Sequence, residues 1–374
     1  MNNKDEDSLT QFNDTTGAPV NTSPISYKIR IFIACIEILV AIVGLVGNSL
    51  VIWSVILSKK LRTVTNAFVV NLSVADFWTS LSYPWNCVAL LSHESWPLES
   101  EVLCVIAAVQ VYTGIGASIY SLASIALNRM VLITQTMNTY SWWYTPRKVA
   151  VMIALTWVIP CVVFFLPLLL GIGAIGYDPH DHTCTDKDDQ LRGSEYNLAQ
   201  SLGFLPIPML IIICCYTAIY IHLKRHFRKQ KKSRSDNNSQ PISTAVGLDG
   251  KTSTKFTVAT VESSVTNAEH VSRKARQAIS RQQLVITKNL FLVFCIFTLL
   301  LSPYFISHSI PSSRWFVLYA GTIATFNSCV NPIIYAVNHP QFQVVLWKII
   351  TCRYSEIQEP SDLLKFLLSL RKNE

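Results

Sequence analysis

Apolar residues in this chain form long runs separated by shorter polar stretches. Seven runs are long enough to cross about 30 Å of hydrocarbon as α-helices. They lie at about 31–57, 66–91, 103–132, 149–172, 196–223, 284–310 and 316–337. Half of the 374 residues are hydrophobic and only 14% are charged, which argues against one water-soluble core. The pattern predicts an all-α membrane protein, a seven-transmembrane helix bundle.

The charges between the runs predict an orientation in the plasma membrane. Basic residues collect in alternate polar stretches, at Lys59, Lys60 and Arg62, at Arg147 and Lys148, and throughout 224–283. By the positive-inside rule these stretches are cytoplasmic. The N-terminus is then extracellular and the C-terminus cytoplasmic. Because the net charge of +8 follows from this topology, we expect membrane lipids and no nucleic acid as partners.

The polar segments divide the chain into three parts. Residues 1–28 form an extracellular tail, and residues 29–337 hold the seven helices together with the long cytoplasmic stretch 224–283, whose composition is too polar to fold. Residues 338–374 form a cytoplasmic tail. Within it, Pro340 to Ile350 predicts a short amphipathic eighth helix on the membrane surface, and Leu363 to Leu370 has similar character.

Several residues are candidates for covalent modification. Asn13 and Asn21 begin glycosylation triplets in the outer tail. Cys104 and Cys184 fall at the outer membrane surface, where oxidising conditions favour a disulfide. Cys352, just beyond the eighth helix, is either a palmitoylation site or an ordinary cytosolic thiol.

Two charged residues within the apolar runs, Asp76 and Arg129, are candidate functional groups. An ionisable side chain at the bilayer centre costs about 2.5 to 3.5 kcal/mol on insertion scales, so it needs a partner and a reason to be there. Each is also part of a larger sequence pattern.

One motif in each run supplies that pattern. In chain order the motifs are Gly47-Asn48, Leu72-Ser-Val-Ala-Asp76, Asn128-Arg129-Met130 downstream of Cys104, Trp157 with Pro160, Pro208 with Tyr216, Phe297 with Pro303, and Asn331-Pro332-Ile-Ile-Tyr335. Together they resemble the class A, rhodopsin-like G-protein-coupled receptors over about residues 28–353. The sequence around Asn128-Arg129 is similar to that of melatonin receptors and of invertebrate orphan receptors of the moody and trapped-in-endoderm type.

The resemblance implies a G-protein-coupled receptor that responds to an extracellular ligand. It implies partners as well: a heterotrimeric G protein of the inhibitory type, arrestin and receptor kinases. The residues it places in the activation switch are Asn128, Arg129, Tyr216, Asn331, Pro332 and Tyr335, and those it places in signal transmission are Ile119, Pro208, Phe297, Leu301 and Pro303.

The switch departs from the family pattern. An acidic residue usually precedes the family arginine, whereas this chain has Asn128, and Gln283 stands where some members supply a second acid. Neutral hydrogen bonds are weaker than charge-assisted ones. We therefore expect a loosely held inactive state with raised basal activity. Leu301 also replaces the usual tryptophan of the sixth helix.

The resemblance further implies an allosteric sodium ion and no other cofactor. Its oxygen ligands would come from Asp76, Ser118, Asn327, Ser328 and Asn331. The alternative is a polar network that joins the helices without an ion.

The ligand pocket is predicted partly by exclusion. Val111 stands where amine receptors carry an aspartate, and Thr325 where opsins carry the retinal-binding lysine, so neither a biogenic amine nor retinal is expected. The residues expected to face the pocket are Glu37, Trp85, Gln110, Tyr112, Gln200, Phe204, Tyr304, Phe305 and His308. They form an aromatic, mostly neutral set suited to a lipid-like, indole-like or peptide ligand, although each could serve helix packing alone.

The outer loop from Asp178 to Asp189 is strongly acidic. It is interpreted as a solvated loop, as an attractor of basic ligands, or as a zinc site built on His180 and His182. For the chain as a whole, a seven-helix channel or transporter is the competing hypothesis. A membrane enzyme is not expected, because the spans contain no metal-ligand set or nucleophile with a base.

Overall fold

Six helices are long and apolar enough to cross a membrane, within the residues 25–93, 95–187, 192–238, 285–307 and 314–372 that this computed structural model describes. The helices are α1 (Tyr27–Leu57), α2 (Val64–Ser80), α3 (Tyr83–Leu90), α4 (Val102–Thr134), α5 (Met137–Trp143), α6 (Pro146–Leu169), α7 (Gly193–Phe204), α8 (Pro206–Asn238), α9 (Val285–Ser307), α10 (Arg314–Thr325), α11 (Asn327–Asn338), α12 (Pro340–Ile350) and α13 (Asp362–Lys372). The two strands are β1 (Ile175–Asp178) and β2 (Thr183–Asp186).

The second predicted span is divided into α2 and α3, each too short to cross alone. Pro84 has no N–H, and its ring would clash with the carbonyl of Ser80 in a continuous helix. At the break, the Ser82 hydroxyl donates to the Thr79 carbonyl at 2.6 Å. Together the two halves cross the membrane once. With the six long helices this makes seven crossings, so the predicted seven-helix bundle is confirmed.

The seventh predicted span is interrupted by one turn at Phe326, between α10 and α11. Further along, Pro332 lies inside α11 and cannot bond to the carbonyl of Ser328. That carbonyl instead accepts a hydrogen bond from Asn48 Nδ2 of α1, at 2.8 Å. A Cβ at Gly47 would lie 2.9 Å from the Cβ of Pro332, so only glycine lets the two helices approach this closely.

The centre of the bundle is α4, the most buried of the long helices. Its residues Ile119 and Ile125 share one apolar core with Phe204 of α7 and Phe297 of α9. Apolar side chains on the outside are left exposed, as at Leu169, which is 82% exposed. Since lipid tails solvate such residues, these outer faces are the lipid-facing surface of the bundle.

The polar ends of the bundle extend the predicted elements. Helix α8 continues past its apolar part as far as Asn238, while the rest of the long polar stretch lies outside the described residues. The predicted amphipathic eighth helix is confirmed as α12, which buries Phe342 and Leu346 and exposes Trp347. The similar segment near the C-terminus is α13.

The acidic outer loop folds into a two-stranded antiparallel hairpin. The sequence predicts helices and a loop here, and no strands. Tyr177 pairs with Cys184, and Asp178 with Thr183. The predicted disulfide between Cys104 and Cys184 is present, with the two Cα atoms 5.0 Å apart. It fixes β2 over the outer end of α4.

A buried polar cluster holds the hairpin turn. Nδ1 of His182 lies 2.8 Å from the Tyr177 hydroxyl and 3.0 Å from the Ser92 hydroxyl. Burial lowers the pKa of His182 to about 4, and the nearby side chains of Arg30, His180 and His93 act in the same direction. His182 is therefore neutral in the folded protein at neutral pH.

The cluster makes stability depend on pH. Because the pKa of His182 is lower in the folded than in the unfolded state, its contribution is complete above about pH 6.5 and is lost as the pH falls towards 4. Between neutral pH and about pH 5 we expect a loss of about 1 kcal/mol, measurable as a lower thermal midpoint of the purified protein. His182→Asn, which tolerates the left-handed backbone, should remove this part of the pH dependence.

The matched control is His180→Asn, because His180 is half exposed and bonds only to neighbouring groups of the hairpin. It should retain most of the wild-type pH dependence, because burial, and not the nearby His180, is the main cause of the lowered pKa of His182. Equal pH profiles for wild type and His182→Asn would contradict the assignment.

Candidate functional site

Asp76 of α2 joins three helices inside the bundle. Its side chain is buried, and both carboxylate oxygens accept hydrogen bonds. Ser118 Oγ of α4 donates to one oxygen and Asn331 Nδ2 of α11 to the other, each at 2.7 Å. The charge is thus held by neutral donors from two neighbouring helices.

The remaining predicted sodium ligands adjoin this junction. Ser328 Oγ lies 2.8 Å from the hydroxyl of Tyr83. Asn327 is one turn before Asn331 on the same face of α11, and its buried Nδ2 has no hydrogen-bond partner among the described residues. Carboxylate, hydroxyl and amide oxygens are the ligands that a hard cation prefers. The donor set therefore fits a sodium ion.

Arg129 lies near the C-terminal end of α4, opposite the end that carries Cys104. Its side chain is buried, with an exposed fraction of 4%. It interacts electrostatically with the hydroxyls of Tyr216 and Tyr140. Its neighbour Asn128 shares Tyr140 with the arginine: Asn128 Oδ1 accepts from Thr65 Oγ1 at 2.6 Å, and Nδ2 donates to the Tyr140 hydroxyl at 3.2 Å. These partners of Asn128 are neutral. Gln283 lies outside the described residues.

Aromatic and imidazole groups of α8, α9, α11 and α12 collect at the same end of the bundle as Arg129. Tyr216 packs edge-on against Phe291, with ring centroids 4.8 Å apart. Tyr335 is buried and stacks on Phe342 of α12 at 5.7 Å. Between α11 and α12, burial lowers the pKa of His339 to about 4, and the charge of Arg129 contributes. His339 is thus a neutral neighbour of the arginine.

The predicted transmission residues lie in the middle of the bundle. Ile119, Phe297 and Leu301 belong to one apolar core, in which Leu301 is fully buried. Pro208 is buried near the start of α8, just after the break at Leu205, and Pro303 lies in α9. Ile119 directly follows Ser118 of the Asp76 junction, so this apolar core adjoins the junction.

A cavity of about 840 Å³, including the part open to solvent, lies at the outer end of the bundle. Its walls come from α1, α3, α4, α9, α10 and the hairpin. They include Val111 and Thr325, the positions at which amine receptors and opsins carry their charged ligand anchors.

The predicted pocket residues take different places around this cavity. Glu37 and Tyr304 line it, and the hydroxyl of Tyr112 lies 3.2 Å from that of Tyr304. Five others are described, and none of them is among the lining residues: Trp85, Gln110, Gln200, Phe204 and Phe305. His308 lies outside the described residues.

The walls are more acidic than the sequence indicated. Four carboxylates line the cavity, from Glu37, Asp178, Asp181 and Asp186. Pairing of β1 with β2 brings the three aspartates inward, which the composition of the loop alone could not show. In each strand, apolar and polar or small residues alternate, around Tyr177 in β1 and around Cys184 in β2. This alternation is the sequence signal that could have predicted the two strands.

Glu37 is the most deeply embedded of these acids. It is 2% exposed, and both of its oxygens accept hydrogen bonds from Asn86 Nδ2, at 3.0 and 2.9 Å. Asn86 Oδ1 in turn accepts from the backbone N–H of Cys184 at 2.9 Å. The chain of bonds connects the buried acid of α1 to the disulfide-bonded strand β2.

The remaining candidate sites are placed as follows. His180 contacts Asp181 at 2.8 Å, whereas His182 belongs to the buried hydroxyl cluster, and the described residues contain no group of three or more potential metal ligands. Cys352 is exposed, in a left-handed turn directly after α12. Asn13 and Asn21 lie outside the described residues.

Comparison with known proteins agrees with this geometry. The family model described as "7 transmembrane receptor (rhodopsin family)" matches residues 47–335. Squid rhodopsin has a similar fold, with a TM-score of 0.69 at 20% identity, covering 92% of this chain and 91% of the rhodopsin chain.

Curated relatives are similar over most or half of the chain. The G-protein coupled receptor moody of Drosophila melanogaster is 28% identical over 91% of this chain, which spans only 54% of moody. Protein trapped in endoderm-1 of the same fly is 28% identical over 92% of this chain and 83% of its own length. Melatonin receptor type 1B-A of Danio rerio is 32% identical over 53% of this chain and 67% of its own length.

The family model covers well over half of the chain, including the Asp76 junction, Arg129 and the residues from Asn331 to Tyr335. Its members are receptors and not enzymes. With the seven-helix bundle, the Cys104–Cys184 bridge and the buried polar residues in place, the chain belongs to the rhodopsin family of seven-transmembrane, G-protein-coupled receptors.

Proposed function

We propose that this receptor resides in the plasma membrane with its N-terminus outside. In this proposal an extracellular ligand with a positively charged group activates a heterotrimeric G protein of the inhibitory type. Arrestin and receptor kinases would act on the same cytoplasmic face. The single observation that carries signalling is Arg129, a buried cation at the cytoplasmic end of the central helix beside Tyr216.

Weak restraint of the switch is the second part of the proposal. Asn128 engages Thr65 and Tyr140, both neutral. A carboxylate in its place would add a charge-assisted interaction with the neighbouring arginine, roughly twice as strong as a neutral bond. We therefore expect the active arrangement of Arg129, Tyr216, Asn331, Pro332 and Tyr335 to be populated without ligand.

The Asp76 junction is proposed as a sodium site. Asp76, Ser118, Asn327, Ser328 and Asn331 would hold the ion, with Asn327 offering its amide oxygen in place of the unpaired Nδ2. A bound cation would neutralise a carboxylate that otherwise has only neutral partners in the spans. The alternative is the same network without an ion.

The ligand class rests on the charge of the cavity. Four carboxylates line it, and its described walls contain no lysine, arginine or histidine. Glu37 accepts hydrogen bonds only from neutral donors, the Asn86 amide and the Cys87 thiol. A cationic group entering from outside would compensate this buried charge at Glu37. The lack of an acid at Val111 removes the usual amine anchor, and the proposal of Glu37 as the anchor replaces the expectation, based on Val111 alone, that no amine binds.

A neutral indole ligand is the second candidate. Melatonin receptors are among the relatives, and Tyr304, Val111 and Ile115 supply an apolar part of the cavity wall. The two candidates differ in one property, the charge of the ligand, which can be tested directly.

Coupling is tested with the purified full-length receptor in lipid nanodiscs and a heterotrimeric inhibitory G protein. Without ligand, wild type should accelerate nucleotide exchange above empty nanodiscs. Asn128→Asp should lower that acceleration about fivefold, as expected when a charge-assisted contact strengthens the inactive state. Arg129→Ala should abolish it.

Gln135→Glu is the matched control, because it adds a negative charge at an exposed position just beyond α4. It should exchange nucleotide as wild type does. If nucleotide exchange without ligand is no faster with wild type than with Asn128→Asp, the proposal that the inactive state is weakly restrained is wrong. If wild type accelerates nucleotide exchange on no class of G protein, with or without the arylalkylamines and N-acetyl derivatives tested below, the coupling proposal is wrong.

The ligand class is tested with matched pairs of arylalkylamines and their uncharged N-acetyl derivatives, read out by nucleotide exchange. We expect activation by members of the charged series. Glu37→Gln should raise their half-maximal concentration about thirtyfold or more, because it removes a buried charge partner. It keeps nearly the same volume and an oxygen for Asn86.

Glu101→Gln is the control, since Glu101 pairs with Lys187 at the surface and lies outside the cavity lining. It should change these concentrations little. Activation by the N-acetyl series alone, at equal concentrations in wild type and Glu37→Gln, would favour the neutral ligand and reject the cationic one.

A further inference from the structure

The segment after α12 is held against the first cytoplasmic loop by backbone hydrogen bonds. Lys59 N–H donates to the carbonyl of Glu359, and Ser361 N–H donates to the carbonyl of Leu57, each at 2.8 Å. Ser58 and Pro360 between them form an antiparallel bridge. Residues 359–361 are therefore joined to the end of α1 in the manner of a short strand pair.

A sharp reversal of the chain makes this contact possible. Cys352, in the left-handed region, ends α12, and Arg353 N–H bonds back to the carbonyl of Lys348. A single 3₁₀ turn, Tyr354–Glu356, follows. Ile357 is then buried in the same apolar core as Leu57 and Ile349. The tail is thus folded onto the bundle.

Helix α13 continues from this anchored segment. The Ser361 hydroxyl accepts a hydrogen bond from Leu364 N–H at 3.2 Å, and Asp362 pairs with Lys59 at 2.7 Å. Leu364 is buried in the core and Leu368 packs against it. One face of the helix is therefore committed to the receptor.

A second apolar face of α13 has no cover among the described residues. It is formed by Leu363, Phe366, Leu367 and Leu370, which are between 44% and 59% exposed. Their spacing of three, four and seven residues places them in one stripe along the helix. Exposed Lys365 and Ser369 lie on the other side. We call these four apolar residues the α13 stripe.

The depth of the stripe follows from its anchor. Leu57 is the last residue of a membrane-spanning helix, so the segment bonded to it lies at the membrane surface. Helix α12 exposes its own apolar side chains there, including Trp347, a residue type enriched at membrane interfaces. Basic groups are exposed around both helices, at Lys60, Arg62 and Arg353, together with Lys59, which is paired with Asp362.

We propose that the α13 stripe inserts into the membrane leaflet on this side of the receptor, and that the surrounding basic residues bind its anionic headgroups. The receptor then has a second amphipathic helix on the membrane, anchored to the loop between α1 and α2. In the orientation proposed above, this leaflet is the cytoplasmic one, which carries anionic lipids.

The test places an environment-sensitive fluorescent amino acid at Leu367 or, as the matched control on the same helix, at Ser369. The full-length receptor is reconstituted at one copy per nanodisc, in phosphatidylcholine with or without about one third phosphatidylserine. Iodide in the buffer quenches only probes exposed to water. With phosphatidylserine, the probe at Leu367 should be quenched about fivefold less than the probe at Ser369 and should emit at shorter wavelength.

The basic residues are tested in the same discs. Arg353→Gln should shift the balance between inserted and water-exposed stripe about fivefold towards exposure, as expected for one basic residue near an anionic surface. Equal quenching at Leu367 and Ser369 in both lipids would overturn insertion. If the probe at Leu367 is protected only in discs that hold two receptors, the stripe contacts a second copy of the receptor and not the membrane. If protection of the Leu367 probe is unaffected by phosphatidylserine and by Arg353→Gln, the recognition of anionic lipid is overturned.

Discussion

A carboxylate inside a membrane helix must be surrounded by hydrogen-bond donors, and the requirement of Asp76 organises the centre of this receptor. Ser118 and Asn331 reach it from α4 and α11, so three helices are fixed around one charge. The backbone supports the same junction, because Pro332 leaves the Ser328 carbonyl free to accept the amide of Asn48. Loss of any one donor would leave a buried polar group unsatisfied.

The two ends of the bundle lie on either side of this junction and carry opposite charges. The outer cavity collects carboxylates, with Glu37 connected through Asn86 to the disulfide-bonded strand. The inner end holds the cation Arg129 among Tyr216, Tyr140 and a neutral His339. The apolar residues Ile119, Phe297 and Leu301 fill the space between. Repacking of this apolar layer is a physical route from an occupied cavity to the arginine.

The sequence was most informative where a single residue type has a strong local effect. Long apolar runs predicted the spans, and Cys104 with Cys184 were correctly paired. Pairings between distant segments were less predictable. The β-hairpin that turns three aspartates towards the cavity depends on strand register, and the docking of residues 359–361 beside α1 depends on a chain reversal at Cys352. For the same reason the cavity was expected to be neutral and is acidic.

The thermal midpoint of the purified receptor in sodium chloride, compared with choline chloride at equal ionic strength, tests the Asp76 junction most directly. A cation held by the junction should stabilise wild type by about 1 kcal/mol at sodium concentrations several times its dissociation constant, and Asp76→Asn should abolish the difference between the salts. Glu37→Gln, which alters another buried carboxylate, should retain the difference. Equal midpoints of wild type in the two salts, or an unchanged sodium effect in Asp76→Asn, would contradict an ion at the centre of the bundle.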